Sequence, residues 1–305
     1  MKYLLIISLI SLGTFAQNLP IVSSGSIKRL ESFSSNYVSP RNVDIGLPEG
    51  YTPKNKYAVL YMQDGQMLFD STNNWNKQEW GVDETLTRLM AGDKVKATIV
   101  VGIWNSDKGL HADYFPQKPY DNLTSSEKQF VVEQLQKAGR TKEVFQPVSD
   151  NYLKFLVTEL KPLIDRTYST LPDVNNTFIA GSSMGGLISM YAICEYPQVF
   201  GGAACLSTHW PGIFSVENNP VPNAFLGYLT TNLPNPKNHK IYFDYGDQTL
   251  DALYPVLQVK VNKVMIEKGF DTKHWITEFF PGDDHSEKAW RKRLPIPLEF
   301  LMKKQ

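Results

Sequence analysis

The chain has 305 residues, of which 42% are apolar, enough for one large α/β domain with a sizeable core. Lys plus Arg balance Asp plus Glu at 31 each, so no global field recruits nucleic acid or an acidic membrane surface. Only Cys194 and Cys205 are present, which excludes a disulfide framework; both fall in apolar stretches, where a buried free thiol is the commoner state.

The first residues, MKYLLIISLISLGTFAQ, put Lys2 before an apolar run from Leu4 to Ile10, with Thr14 and Ala16 suited to signal peptidase. Residues 1–16 therefore read as a secretory signal and 17–305 as a single exported domain, periplasmic or secreted. No later segment approaches about 20 apolar residues, so integral membrane association is not expected. No cysteine follows the signal, which argues against a lipid anchor.

RNVDIGLPEGY (Arg41 to Tyr51) alternates and stops at Pro48 and Gly50, as an early, partly exposed strand would. YAVLYMQDG (Tyr57 to Gly65) is a near-continuous apolar run, the pattern of a strand buried on both faces. WGVDETLTRLMAGD carries Val82, Leu86, Leu89 and Met90 at helical spacing, and KATIVVGI returns to a buried strand. The alternation continues with a helix from Tyr152 to about Tyr168, a strand Thr177 to Ser183, a helix from Gly185 to Glu195 and a strand Gly201 to Ser207. After these come a strand Lys240 to Gly246, a helix from about Leu253 to Lys268, a strand Trp275 to Gly282 and a terminal helix. Such alternation predicts a mostly parallel sheet with helices on both faces, binding ligands at the carboxyl ends of its strands. Trp104 to about Ser149 and Thr208 to about His239 interrupt the rhythm directly after strands, and both read as loop insertions forming a lid or pocket wall.

Gly181-Ser182-Ser183-Met184-Gly185 fits G-x-S-x-G between an apolar strand and a helix, the context of a nucleophile elbow on an α/β-hydrolase fold. The sharp turn brings strand and helix too close for side chains two residues before and two after the serine. Gly181 and Gly185 meet that need around Ser183; around Ser182 the same positions would hold Ala180 and Met184. A glycine-rich turn that merely caps a helix is the plainer alternative.

A serine hydroxyl needs a base to take its proton. Among five histidines, His285 in FPGDDHSEKAW follows the last expected strand and so reaches the edge where Ser183 emerges. His274 and His239 precede strands, at the opposite edge, and His111 lies in the first insertion. The carboxylate that orients the base is expected after KIYFDYG, where Asp251 ranks ahead of Asp247 and Asp244, although Asp251 could instead only cap a helix. Met184 N–H and, from the loop MQDGQMLFD, Gln66 N–H are the candidate oxyanion donors. His209 and Trp210, beyond the strand at Gly201 to Ser207, and Asp64, in the oxyanion loop, are candidate substrate-binding residues. Asp283, Asp284 and His285 are consecutive rather than spaced to converge on an ion, so no metal or other cofactor is expected.

On AVLYMQDGQMLFD, VVGIWN, IAGSSMGG, YFDYGDQTLDALY and FPGDDHSEKAWRKR, the sequence resembles the putative esterase family that includes esterase D, enterobactin esterases and feruloyl esterase domains. The resemblance covers most of the chain after about Val43. It implies an oxyanion loop, nucleophile, acid and histidine at the corresponding pieces. GLHADYFP departs from that pattern, with His111 where an arginine often precedes the acidic-aromatic pair.

The expected activity is serine-dependent hydrolysis of a carboxylic ester through an acyl-enzyme, on a small-molecule or carbohydrate ester such as an acylated or feruloylated sugar. The aromatic residues Trp75, Trp80, Trp104, Tyr114, Phe115, Tyr120, Trp210 and Phe214 could stack on such a group. Lys108, Lys118, Lys128, Arg140 and Lys142 could instead suit a catecholate siderophore. Acyl transfer by the same triad and a non-catalytic binding protein on the same fold are the other readings.

Overall fold

The computed structural model describes residues 18–142 and 144–304. The segment read as a secretion signal, residues 1–16, lies outside them. The strands are β1 (Ser26–Phe33), β2 (Arg41–Leu47), β3 (Ala58–Gln63), β4 (Thr98–Ile103), β5 (Thr177–Ser182), β6 (Gly202–Leu206), β7 (Lys240–Tyr245) and β8 (Trp275–Phe279). The helices are α1 (Val82–Ala91), α2 (Leu110–Tyr114), α3 (Gln117–Asp121), α4 (Ser125–Lys137), α5 (Ser149–Lys154), α6 (Lys161–Thr167), α7 (Met184–Glu195), α8 (Val221–Asn232), α9 (Pro255–Glu267), α10 (Glu287–Arg293) and α11 (Pro295–Met302).

All eight strands join one sheet in the order β1-β2-β4-β3-β5-β6-β7-β8. β1 and β2 run antiparallel at one edge, and from β4 to β8 every pair is parallel. This is the α/β-hydrolase arrangement. The apolar runs of β3, β4 and β5 are buried at every residue because helices cover both faces. Successive residues alternate between two cores: Val59 and Tyr61 pack toward α5, α7, α8 and α9, whereas Ala58, Leu60 and Met62 pack toward α1 and α11. The central helix α7 is buried from Met184 to Cys194, which explains a sequence apolar all round rather than amphipathic. Cys194 and Cys205 are free and buried.

Three features depart from expectation. β1 escapes a period-two reading because Lys28, Arg29 and Glu31 interrupt it; it is an edge strand, and charge blunts its open side. The strand at Arg41 is mostly buried rather than partly exposed, being paired on both sides by β1 and β4. The two insertions are substantially helical rather than loops. Thr124 and Glu127 form a capping box that starts α4, and Pro220 and Pro222 stand at the start of α8, where proline costs no hydrogen bond. The helix expected from Tyr152 to Tyr168 is interrupted by a π-helical stretch, Phe155–Leu160, between α5 and α6. Among the described residues no helix is long and apolar enough to cross a membrane.

The carboxyl edge of the sheet gathers the chemistry. Asp64 and Gln66 follow β3, Asn105 follows β4, Ser183 follows β5, Ser207 and His209 follow β6, Asp251 follows β7 and His285 follows β8.

Candidate active site

Ser183 occupies φ 55° and ψ −120°, a backbone conformation that L-residues avoid. Its N–H donates to Leu206 O at 2.9 Å, and its carbonyl accepts from His209 N–H at 3.1 Å, so β6 and the loop beyond it hold the turn in place. A Cβ on Gly181 would lie 2.7 Å from the Gly185 carbonyl and 2.8 Å from Gln63 Cγ; one on Gly185 would meet only side-chain atoms, at 3.0 Å and beyond. Gly181→Ala is therefore expected to destabilise the protein by about 2–3 kcal/mol, because backbone blocks the methyl group. Gly185→Ala is expected to cost less. Thermal melts of both variants check this, and an unchanged Tm for Gly181→Ala would contradict it.

His285 Nδ1 lies 2.6 Å from Asp251 Oδ1, with the Asp251 side chain fully buried. The same carboxylate accepts Gly246 N–H at 2.7 Å and the Ser207 hydroxyl at 2.6 Å on Oδ2. A carboxylate at Nδ1 leaves Nε2 as the free lone pair of the imidazole. The ring stands edge-on to Trp290, with centroids 4.9 Å apart, and the His285 N–H donates to Thr249 Oγ1 at 3.0 Å. Asp247 instead accepts from Gly282 N–H at 2.8 Å and from the Gln248 amide. Asp244 is tied to Ser207 N–H and to the Tyr242 hydroxyl; burial pushes its carboxyl up to about 7 against the pull of Arg293. Neither contacts His285, and Asp251 sits in a short 3-10 turn where its side chain does no capping.

Ser183, Met184, Gln66, Asp64, His209 and His285 all line one cleft of about 640 Å³. Two amides there are free by helix geometry. The first donor used within α7 is Leu187 N–H, to Ser183 O, and the first in the turn at Gly65–Met67 is Met67 N–H, to Asp64 O. Met184 and Gln66 precede those donors, so their N–H groups have no partner within their own turns. Gly65 makes the approach of that loop possible, since a Cβ there would sit 2.5 Å from Gly102 C and O of β4.

His209 is buried, its Nδ1 2.9 Å from the Tyr254 hydroxyl, and burial holds its imidazole neutral. Tyr254, absent from the sequence reading, holds His209 through that contact, and its phenol stands beside the Ser183 side chain. Trp210 is a correction: it was expected in the pocket, but its ring is buried against Phe243, 5.6 Å between centroids, and its indole N–H donates to Gln258 at 2.7 Å. Of the other aromatic candidates, Trp75, Trp80 and Phe214 line the cleft, whereas Tyr114, Phe115 and Tyr120 are core residues. Trp104 donates to Asp44 and stacks under Arg29. Of the basic candidates, Arg140 reaches the cleft, 5.1 Å over the Phe214 ring.

Asp64 adopts φ 57° and ψ 47°, and its Oδ1 accepts from Asn105 Nδ2 at 2.7 Å. Burial raises its carboxyl from 3.8 to about 6, with Glu287 adding to the rise and Asn105 opposing it. The folded state thus holds this proton more tightly than the unfolded chain, and Asp64's contribution to stability is lost as pH rises from 3.8 through about 6. Asp64→Asn, which tolerates the left-handed backbone, should gain melting temperature relative to wild type between about pH 4 and pH 7. A pH-independent difference between the two proteins would contradict this.

Among known proteins, an uncharacterized protein of Bacillus subtilis, YbbA, is 22% identical over 278 residues, covering 88% of this chain and 96% of that one. The endo-1,4-beta-xylanase/feruloyl esterase of Xylanibacter ruminicola is 26% identical over 294 residues, covering 92% of this chain but 32% of that longer enzyme. In structure, the enterobactin esterase Fes of Shigella flexneri superimposes with a TM-score of 0.63 at 16% identity, covering 92% of this chain and 60% of that one. The family model described as "Putative esterase" matches residues 34–301, from just beyond β1 into α11, and on that match the chain belongs to this esterase family.

Proposed function

We propose that the protein is a serine-dependent carboxylic ester hydrolase acting through an acyl-Ser183 intermediate. The observation that carries this reading is the 2.6 Å contact of Asp251 with His285 at the cleft into which the strained Ser183 opens. In this reaction Ser183 Oγ attacks the ester carbonyl while His285 Nε2 takes its proton. The amides of Met184 and Gln66 stabilise the oxyanion. The C–O bond to the alcohol breaks, and His285 returns the proton to the departing oxygen. Water then attacks the acyl-enzyme with the same assistance, releasing the acid and restoring Ser183. The neutral His209 and the half-buried Asp64 contact the substrate, and no metal or cofactor takes part.

The substrate we favour is an acylated or feruloylated carbohydrate. The family assignment, the feruloyl esterase named in one relative and the aromatic walls of Trp75, Trp80 and Phe214 support it. A second reading, a catecholate ester, is favoured by Arg140, which lines the cleft and has no carboxylate partner among the described residues. A panel of acetyl, feruloyl and catecholate esters, assayed with wild type and Ser183→Ala, separates them. Turnover of feruloyl sugars above the others supports the first reading, and preference for the catecholate supports the second. Product analysis with competing alcohols distinguishes hydrolysis from acyl transfer. Export is part of the proposal, resting on Lys2, the apolar run and Ala16.

A further inference from the structure

Ser207, the first residue after β6, has φ 41° and is completely buried. Its hydroxyl meets three side chains: Trp290 Nε1 at 3.0 Å, Arg293 Nη2 at 3.0 Å and Asp251 Oδ2 at 2.6 Å. An indole N–H and a guanidinium can only donate, so both point hydrogens at the Ser207 oxygen. The one hydrogen that oxygen carries is left with a single destination, Asp251 Oδ2. Its direction is thus forced by the inventory of donors, without any need to observe it. Arg293 is wholly buried, and its charge is shared with Asp244, 3.6 Å away. A cation donating to an oxygen strengthens the bond that oxygen donates in turn. The Ser207 backbone N–H is itself anchored, to Asp244 O at 2.9 Å and Asp244 Oδ1 at 3.2 Å.

Asp251 is thereby held by donors from three separate segments: Ser207 after β6, Gly246 after β7 and His285 after β8. Gly246 approaches this closely because it lacks a Cβ, which would fall 2.1 Å from Asp283 O. The Gly246 amide alone would leave the carboxylate free to turn about the line of that one bond. The second bond on Oδ2 removes this freedom and keeps Oδ1 aimed at the imidazole.

We propose that Ser207 is a positioning residue whose hydroxyl, oriented by Trp290 and Arg293, locks Asp251 in the geometry that orients His285. The proposal rests on the triad reading above. Ser207→Ala removes the hydroxyl, and Ser207→Gly removes it while relieving the positive φ, so at least one variant is expected to fold. With 4-nitrophenyl acetate, both should lose about 10- to 100-fold in kcat with KM within about twofold, because binding is untouched while the acid is loosened. The far-downfield proton resonance of His285 Nδ1–H, identified by its absence in His285→Ala, should shift or broaden in both. A kcat within about twofold of wild type in a folded variant would overturn the proposal, as would a kcat loss with an unmoved resonance, which marks a merely structural role. Ser183→Ala, assayed alongside, separates the two levels of argument. If it retains full hydrolysis the triad reading itself has failed; if it is inert while the Ser207 variants match wild type, only the role of Ser207 has.

Discussion

Ser183→Ala is expected to lower kcat by about 10⁴- to 10⁶-fold while leaving the fold and the cleft intact. The size of the loss follows from the arrangement around the residue. Its hydroxyl stands on a strained backbone in the cleft that His285 also lines, and that imidazole's Nδ1 is already committed to a carboxylate. The methyl group of alanine adds no atom to the elbow, so Gly181 and Gly185 continue to pack as before and Tm should change little. In the proposed mechanism the residual rate should reflect the Met184 and Gln66 amides, which would polarise a bound carbonyl whether or not a nucleophile is present. Steady-state kinetics with matched thermal melts check both halves of the expectation.

Asp251→Asn is expected to cost about 10⁴-fold in kcat, whereas Asp247→Asn should stay within about threefold of wild type. Asparagine keeps the size of the Asp251 side chain but can present an N–H to His285 Nδ1, which forces the imidazole into the tautomer with its proton at Nε2, where it cannot accept one from Ser183. The loss should appear in kcat, with Tm lowered only modestly, because the amide oxygen then takes the place of Oδ2 and still accepts from Ser207 and Gly246, without the carboxylate's charge. Asp247 is held by exposed donors, Gly282 N–H and the Gln248 amide. Equal losses in the two variants would contradict the assignment.

The strained turn at Ser183 was legible in the sequence because its requirement is steric: two glycines flanking the residue, and the close approaches at Gly181 and Gly185 are the physical content of that pattern. The central strands were legible for a similar reason, since strands covered on both faces leave continuous apolar runs. The carboxylate that meets His285 was only narrowed. Asp247 and Asp251 lie on one short connection, and the choice between them depends on a 3-10 turn that carries one carboxylate inward and leaves the other at the surface. Adjacency misled at Trp210. It follows His209 in the chain, but at that turn the imidazole faces the cleft and the indole faces the core. Ser207, Tyr254 and Arg293 left no local mark, because their roles arise where segments far apart in sequence meet: Arg293 reaches Ser207 from α10, and Tyr254 reaches His209 from the start of α9. β1 was hidden by the charges that an exposed edge requires.

The central claim is that Ser183 is an activated nucleophile. Its most direct measurement is labelling of the protein with a fluorophosphonate, followed by mass spectrometry of the modified peptide. The account predicts one stoichiometric adduct on Ser183, lost in His285→Ala and Asp251→Asn as well as in Ser183→Ala. An unlabelled native protein, or an adduct on another serine that persists in Ser183→Ala, would contradict it.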